Sequence, residues 1–207
     1  PAGTNIYYTL MLKPDFSSDC APMLTLVMAL AVAKGIRQTL RRDSEEAAAK
    51  VGIKWPNDIV VDGKKVCGIL TEMSMEQGYI QHIVIGVGIN VRKQEFPEEI
   101  RDRAAAIDEQ CGFRISRSQL IADIMEAFEE DYKIFLQTHD LKGLRASYAE
   151  LLVNQDREVC VLDPKGEYRG IARGINDQGE LLVERPNGNV EEVYAGEVSV
   201  RGIYGYV

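Results

Sequence analysis

The sequence has few residues suited to binding a transition metal or forming a catalytic triad. Its 207 residues include only two histidines and four cysteines. The histidines stand alone and no two cysteines form a CxxC pair, so neither a zinc site nor a histidine-based triad is supported. The cysteines lie far apart in apolar stretches. We therefore expect four buried, reduced thiols and a cytoplasmic protein.

Positive charge is also in deficit. Lys and Arg total 24 against 32 Asp and Glu, which gives a net charge of -8. Such a chain is a poor binder of phosphate backbones, so we expect no nucleic-acid partner. No secretory signal opens the chain, and no apolar run approaches the roughly 20 residues of a membrane span. The most apolar stretch, residues 23–33, predicts a buried helix, and we expect no membrane partner.

The pattern of strands and helices changes near residues 153–156. Residues 1–154 predict an α/β (α+β) fold, with a mixed β-sheet flanked by helices. Residues 155–207 predict five short strands separated by turns, which is typical of a small antiparallel β-barrel. The predicted strands are 4–13, 52–55, 59–61, 65–73, 79–91, 158–162, 168–175, 180–185, 190–194 and 198–201. The predicted helices are 21–40, a turn at 44–49, a short helix beginning near 97–99, one from Ser116 to 138, and one capped by Asp140 that reaches 152.

The first motif is Lys54-Trp55-Pro56-Asn57-Asp58 at the end of a strand. Pro56 cannot donate a ladder hydrogen bond, so it ends the pairing and leaves Asn57 and Asp58 displayed together. An Asp supplies oxygen for Mg²⁺, and an Asn supplies both a donor and an acceptor. The same residues also fit a plain Asx turn that closes a hairpin, and the pattern alone favours that interpretation.

The second feature is Lys65, seven residues after Asp58 and just past the hairpin dipeptide Asp62-Gly63. A hairpin here places Lys65 near Asp58 on a neighbouring strand. At an effective dielectric near 20, a charge pair about 4 Å apart is worth roughly 4 kcal/mol, which is enough to affect a reaction barrier. The alternative is that Lys64 and Lys65 form the solvated flank of a turn.

The third feature is a set of glycines on neighbouring strands. Gly86 and Gly88 alternate along a strand that ends at Asn90, and Gly68 lies on the preceding strand. Glycine weakens a strand interior unless something must approach the backbone closely. A flat ligand is one such thing, and a packed aromatic ring is the other. Gly86 and Gly88 do not form a dinucleotide-binding fingerprint, because the third glycine of that motif is missing.

These motifs together closely resemble the catalytic core of biotin–protein ligases. The resemblance lies in KWPNDIVVDGKKVCGIL followed by GVGIN, and it extends upstream through PAGTNIYYTLMLK. Downstream, GIARGINDQGELLVE and AGEVSVR are similar to the SH3-like C-terminal barrel of that family. The resemblance implies an ATP- and Mg²⁺-dependent ligase that forms biotinyl-5′-AMP. It then transfers biotin to a lysine of a biotin carboxyl carrier protein domain of acetyl-CoA carboxylase.

The resemblance also implies a role for each residue singled out above. Lys65 would hold the biotin carboxylate and the α-phosphate, and Asp58 would either bind Mg²⁺ or accept the proton of the incoming lysine. The biotin slot would be lined by Lys65, Gly68, Gly86 and Gly88, with Ile69 and Leu70 as its apolar wall. The ATP or adenylate would be held by Lys54, Asn57, Asp58, Asn90 and Arg201.

The chain departs from the family at its start. The family's Gly/Arg-rich biotin loop would precede Pro1 and is lacking from these 207 residues, so we expect the biotin pocket of this stretch to be incomplete. Two alternatives therefore stay open. One is a lipoate or octanoate ligase or transferase on a related core, and the other is a non-catalytic module that binds a carrier protein. An exposed sheet edge could also pair two copies into a homodimer.

Overall fold

The computed structural model describes residues 3–163, 166–194 and 199–202. The first sheet contains β1 Ile6–Leu12, β2 Val51–Lys54, β3 Asp58–Val61, β4 Lys64–Glu76 and β5 Tyr79–Ile89. Its strand order is β1-β5-β4-β3-β2. All four neighbouring pairs are antiparallel. Parallel pairing is confined to two isolated bridges, Ile53 with Leu152 and Lys65 with Ala104, so the mixed character predicted for this sheet is limited to those bridges.

Five helices accompany this sheet. They are α1 Met23–Arg41, α2 Glu45–Ala49, α3 Ile107–Cys111, α4 Arg117–Thr138 and α5 Arg145–Leu151, and a 3₁₀ turn at Ser18–Cys20 precedes them. Helix α1 is buried along most of its length between the sheet and α4. The two helices cross closely at Gly35, where a Cβ would lie 2.8 Å from the Cα of Ile124. This crossing brings the buried carboxylate of Asp123 against α1, where Thr39 donates to it over 2.6 Å.

The C-terminal strands form a second antiparallel sheet, as the alternation of strands and turns predicts. It contains β6 Glu158–Leu162, β7 Tyr168–Ile175, β8 Leu181–Glu184, β9 Val190–Val193 and β10 Ser199–Gly202. The strand order is β10-β6-β7-β8-β9. The fold class is therefore confirmed, with an α/β part followed by a small all-β module that fits an SH3-like barrel. Residues 153–156 lie between α5 and β6, and a domain boundary there stays a prediction.

The structure corrects four details of the sequence interpretation. No helix begins at Pro97; residues 98–103 form turns, with the Ile100 amide donating to the carbonyl of Pro97. The short helix α3 begins ten residues later. Asp140 does not cap α5; its carboxylate accepts from the Lys142 amide, three residues before that helix begins. Of the four free cysteines only Cys67 is buried, and the other three are half-buried.

The fourth correction concerns the apolar run near the N-terminus. The helical stretch Ser18–Arg41 spans 24 residues and reaches a mean hydropathy of 1.5, so it is long and apolar enough to cross a membrane. The most apolar part of this stretch is 72% buried inside the protein. Such burial is typical of the central helix of a globular core, since the apolar face is already covered by protein.

Candidate functional site

A β-bulge in the hairpin of β3 and β4 sets the direction of Lys65. Ile59 pairs with Cys67, whereas the next residue, Val60, pairs with Lys65, so Val66 has no partner in β3. One extra residue inverts the alternation of side chains along β4 from this point. Lys65 therefore lies on the same face as Gly68, although the regular period of two would place them on opposite faces.

This bulge brings the predicted ion pair together. The Lys65 ammonium forms an ion pair with Oδ1 of Asp58, so the predicted proximity of the two charges is confirmed. The lysine lies directly over Gly68, where a Cβ would be 3.2 Å from both Cε and Nζ of Lys65. The bare backbone of Gly68 thus gives the lysine its path across the sheet.

Asp58 lies between two lysines. Its second oxygen is 3.9 Å from Nζ of Lys54, the residue paired with Asp58 across the antiparallel strands β2 and β3. The side chains of Asp58 and Lys54 are 11% and 10% exposed, whereas the Lys65 side chain is 38% exposed. The ammonium of Lys65 is therefore the more accessible of the two and the one presented to a ligand on the sheet.

Long-range contacts hold the backbone of the bulge. The Lys65 amide donates to the carbonyl of Arg103 over 2.7 Å, and the Ala105 amide donates to the carbonyl of Lys65 over 2.9 Å. The carbonyl of Val66 accepts from the Asn90 amide over 2.7 Å. The residues that flank the bulge thus bond outside their own hairpin, which fixes Lys65 from both sides.

Asn57 is locked against β4 by its backbone and its side chain. Its carbonyl accepts from the amide of Ile69 over 3.0 Å, and its Nδ2 donates to the carbonyl of Ile69 over 2.9 Å. The Oδ1 atom makes no hydrogen bond with the described residues. The Trp55–Pro56 peptide that precedes Asn57 is cis. Asn57 therefore presents one acceptor from a fixed position beside Asp58.

The glycines line an open groove on the sheet. Gly88 pairs with Gly68 on one side and with Tyr7 on the other, and Gly86 pairs in the same way with Leu70 and with Thr9. Cross-strand partners share a face, so these residues form two adjacent rows. The groove encloses about 620 Å³, and its lining includes both rows together with Asn57 and Lys65.

The two glycines of β5 differ in what covers them. A Cβ on Gly88 would lie 3.4 Å from the ring of Tyr7, so an aromatic ring does pack over this glycine. At Gly86 the nearest described atom is the backbone oxygen of Leu70 at 3.7 Å, so no side chain covers it. The open part of the groove therefore lies over Gly86, with Leu70 beside it at 64% exposure.

The structure places the Ile69 side chain in the core and Asn90 just after β5. Ile69 is 3% exposed and its side chain packs in the core, so Leu70 supplies the exposed aliphatic side chain of the groove. Asn90 follows β5 at the Lys65 end of the sheet, and its Oδ1 accepts from Gln94 Nε2 over 3.3 Å. Gln94 also accepts from Asn5 over 3.1 Å, which makes a small polar cluster at that end.

Four residues of this region were missed by the sequence interpretation. Tyr7 and Thr9 face the groove from β1, and Asn5 and Gln94 join Asn90. The period of two along β1 marks Tyr7 and Thr9 as neighbours on one face, but the pairing of β1 with β5 had to be known to place them. The side chain of Arg201 lies outside the described residues.

The Cys67 thiol lies close enough to the Lys65–Asp58 pair for both charges to influence its pKa. Cys67, on the opposite face of β4, has a raised thiol pKa, chiefly because it is fully buried and also because the Asp58 carboxylate is near. This thiol stays protonated and apolar in character. Among the described residues no group of three or more His, Cys, Asp or Glu side chains could hold a metal ion.

Comparisons with known proteins agree on the class of this fold. Residues 1–90 match the biotin/lipoate A/B protein ligase family, and residues 156–201 match the biotin protein ligase C-terminal domain. The crystal structure of biotin protein ligase from Aquifex aeolicus aligns with a TM-score of 0.79 at 27% identity, covering 96% of this chain and 82% of that one. A structure of the same enzyme with biotin and ATP aligns with a TM-score of 0.77 at 26% identity, covering 96% and 79%.

Relatives identified by sequence point the same way. The bifunctional ligase/repressor BirA of Bacillus subtilis is 34% identical over 200 residues, which is 96% of this chain and 59% of that protein. The biotin–[acetyl-CoA-carboxylase] ligase of Paracoccus denitrificans is 27% identical over 205 residues, covering 98% and 82%. The chain belongs to the biotin protein ligase family. It spans about three fifths of the length of the BirA relatives that it matches.

Proposed function

We propose that this chain carries the catalytic core and C-terminal module of an ATP-dependent biotin–protein ligase. The reaction forms biotinyl-5′-AMP and then transfers biotin to a lysine of a biotin carboxyl carrier protein domain of acetyl-CoA carboxylase. The observation that supports this proposal is the position of Lys65. Its ammonium lies over bare backbone, is paired with Asp58, and stands at the edge of a glycine-lined groove open to a flat ligand.

In the first step, an oxygen of the biotin carboxylate attacks the α-phosphorus of ATP. The bond from that phosphorus to the bridging oxygen breaks, and pyrophosphate leaves. Negative charge builds up where the carboxylate and the phosphate approach each other, and Lys65 supplies a fixed positive charge there. Removing a preorganised group of this kind typically costs about 10²- to 10³-fold in rate.

In the second step, the amine of the carrier lysine attacks the carbonyl carbon of the mixed anhydride. The bond to the phosphate oxygen breaks, AMP leaves, and the amine loses a proton as the amide forms. Lys65 remains beside the leaving phosphate and stabilises its charge. Asp58 adjoins the same atoms through Lys65, so it either accepts the amine's proton or holds a metal ion that accompanies the nucleotide.

The residues present fit a metal ion brought in with ATP better than a resident metal. Mg²⁺ is commonly held by one or two protein carboxylates plus the phosphates of the substrate. Asp58 supplies one carboxylate at the phosphate end, and no larger ligand set occurs in the described part of the chain. Bound there, the ion would neutralise phosphate charge, and Asp58 is the residue that would hold it.

The nucleotide end of the site is assigned to the polar residues around this pair. Lys54 adds a second positive charge behind Asp58. Asn57 offers the acceptor atom Oδ1 beside the groove, and Asn90 stands at the end of β5. Arg201 is proposed as a further contact from the C-terminal module. Gly68, Gly86, Gly88 and Leu70 form the biotin side, with the backbone of Ile69 holding Asn57.

Biotin is favoured over lipoate by the C-terminal part of the chain. The family matched at residues 1–90 covers both ligands, whereas the match at residues 156–201 is to a biotin protein ligase domain. Acetyl-CoA carboxylase as acceptor is supported by the name of the Paracoccus relative, and a cytoplasmic location is part of the same proposal. Strands β1 and β2 are the two edges of the first sheet, and a homodimer would pair two copies along one of these edges.

Biotin-dependent exchange between pyrophosphate and ATP, run with the native protein, tests this function. We expect Lys65→Ala to lower exchange at least about 100-fold. Lys64→Ala, which removes an exposed lysine next to it, should leave exchange unchanged. Exchange driven by lipoate instead of biotin would establish the lipoate alternative. A native protein that binds the carrier but exchanges with neither acid would establish the non-catalytic module.

A further inference from the structure

A turn of the C-terminal module contacts the segment that carries candidate site residues. The turn between β7 and β8 reaches the first sheet at Gly179, whose carbonyl accepts a hydrogen bond from the indole Nε1 of Trp55 over 2.9 Å. Trp55 is 1% exposed and lies 124 residues from Gly179 in sequence. It is also the residue before Pro56-Asn57-Asp58, so the module bonds to the segment that carries the candidate site residues.

The turn is built to present that carbonyl. The side-chain oxygen of Asn176 accepts from the amides of Gln178 and Glu180, both over 3.0 Å, which fixes the loop as an Asx turn. The carbonyl of Asp177 accepts from the Leu141 amide over 2.8 Å. Gly179 has a φ of +83°, a conformation that favours glycine.

The fit around Gly179 is too close for a side chain. A Cβ there would lie 2.9 Å from Cδ1 of Leu141 and 3.0 Å from Cδ2 of Leu26. Leu141 and Leu26 are both buried, so the added methyl group would press against packed side chains and displace the turn. Such a displacement would move the carbonyl relative to the indole of Trp55.

Strand β2, which leads into Trp55, is held by the segment that joins α5 to β6. Leu152 bridges Ile53 in parallel, and the Val153 amide donates to the carbonyl of Ile53 over 3.0 Å. A Cβ on Gly52 would lie 2.2 Å from Cγ1 of Val153, so the connection passes directly against β2. Ile53 is thus held by residues that lead into the C-terminal module, and Trp55 is held by Gly179 within that module.

We infer that Trp55 is a positioning residue, and that its hydrogen bond to Gly179 sets the geometry of the Lys54–Asp58 turn for the adenylation step. Only Trp55, Pro56 and Asn57 separate Lys54 from its partner Asp58. The indole therefore fixes the start of a three-residue turn whose end carries the Asp58 carboxylate. This inference rests on the proposed ligase function and assigns it a residue that does not touch substrate.

The inference predicts a separation between two measured quantities. The glycine face that would receive biotin belongs to β4 and β5, which the indole contact does not involve. Loss of the Trp55–Gly179 bond should therefore lower the rate of adenylation while the affinity for biotin alone stays the same. If Trp55 had a purely structural role, its loss would lower the melting temperature, and the protein that remains folded would show no selective loss of adenylation rate over biotin affinity.

Two variants and a matched control test it in the native protein. Trp55→Phe removes the N–H donor and keeps an aromatic ring, and Gly179→Ala displaces the acceptor. Gly188→Ala is the control, because Gly188 lies in the next turn of the same module with a φ of +82° and nothing within 4 Å of a Cβ. The measurements are kcat for biotin-dependent exchange, the Kd for biotin without ATP, and the melting temperature, with kinetics run well below melting.

A shift of about 1 Å in an active site can cost on the order of 100-fold in rate. We therefore expect kcat to fall about tenfold or more in both variants. The double variant should be no slower than Trp55→Phe, because both changes remove the same hydrogen bond between Trp55 and Gly179. The biotin Kd should stay within about twofold of native in both variants, and Gly188→Ala should keep its kcat and its biotin Kd within the same range.

Unchanged kcat in folded Trp55→Phe and Gly179→Ala overturns the inference, as does a biotin Kd that weakens in step with kcat. Equal losses in Gly188→Ala also overturn it. If Trp55→Phe fails to fold, Gly179→Ala against its control decides. Trp55 is the single tryptophan of the chain, so its emission should shift in Gly179→Ala and not in Gly188→Ala. Native protein that shows no exchange with biotin contradicts the proposed function instead, and the emission result still reports on the bond.

Discussion

Lys65 and Gly68 lie on the same face of β4, although residues three positions apart in a regular strand lie on opposite faces. The unpaired residue Val66 is the cause, because its bulge inverts the side-chain alternation of the strand. Without it, Lys65 would point to the face that carries the buried Cys67. The catalytic assignment of Lys65 thus depends on one extra residue in a hairpin, and the glycine that it crosses is part of the same geometry.

Replacing Gly68 by alanine tests this dependence. The new Cβ would lie 3.2 Å from Cε and Nζ of Lys65, which is tighter than ordinary contact, so the ammonium must move by a few tenths of an ångström. We expect biotin-dependent pyrophosphate exchange to fall about tenfold, with little change in melting temperature. Steady-state kinetics at saturating biotin measures it.

A second glycine gives the comparison for that result. An alanine at Gly86 would meet only the backbone oxygen of Leu70 at 3.7 Å, but it would fill the uncovered part of the groove. We expect Gly86→Ala to raise the KM for biotin and to leave kcat nearly native. Identical kinetic effects from the two variants would show that Gly68 acts only as groove lining and not on Lys65.

Replacing Asp58 by asparagine removes the charge that both lysines share. The amide keeps the shape but loses the ion pairs with Lys65 and Lys54. We expect exchange to fall about 100-fold, because Lys65 loses its fixed position and the phosphate end loses its carboxylate. The matched control is Asp62→Asn, at an exposed turn position with a φ of 51° that asparagine adopts readily. Native exchange in Asp58→Asn would remove Asp58 from the catalytic assignment.

Much of this site could be predicted because its determinants are local. Asp62 and Gly63 both have positive φ, as their dipeptide indicates for a two-residue hairpin, and the hairpin brings Asp58 and Lys65 together. The alternation that follows also separates Gly68 and Leu70 from Ile69. The sequence alone could therefore have excluded the Ile69 side chain from the groove wall.

The remaining features depend on contacts between distant residues. The bulge at Val66 is held by Arg103, Ala105 and Asn90, and no local residue in the hairpin indicates it. The same pairing draws residues 103–105 to β4, which explains why no helix begins at Pro97. The hydrogen bond from Trp55 to Gly179 joins two predicted domains, and hydrophobic periodicity carries no information about such a bond.

Tyr7 offers a test of the biotin side that does not touch the lysine. Its ring packs over Gly88 at 3.4 Å from the Cβ position, yet the residue is 77% exposed. Removing so exposed a ring costs little folding stability, since little apolar area is buried. We expect Tyr7→Ala to weaken biotin binding several-fold with the melting temperature unchanged, by calorimetric titration. Exposed Tyr79→Ala, at the far end of β5, should bind biotin like the native protein.

The last prediction concerns the pH dependence of folding and lies in the helical layer. Burial alone would raise the pKa of Asp123, but hydrogen bonds from Arg42, Thr39 and Gln119 outweigh it and hold that pKa below its ordinary value of 3.8. A carboxyl whose folded pKa is depressed adds stability above its unfolded pKa and loses it as pH falls through the folded value.

The native protein should therefore lose folding free energy steeply below about pH 4, in part through this group. Asp123→Asn should be less stable than native at pH 7 and should show a flatter loss towards pH 3, measured by urea unfolding across the range. Asp102→Asn changes an exposed carboxyl and should follow the native curve. Parallel curves for Asp123→Asn and native protein would show that the Asp123 carboxyl contributes nothing to acid sensitivity.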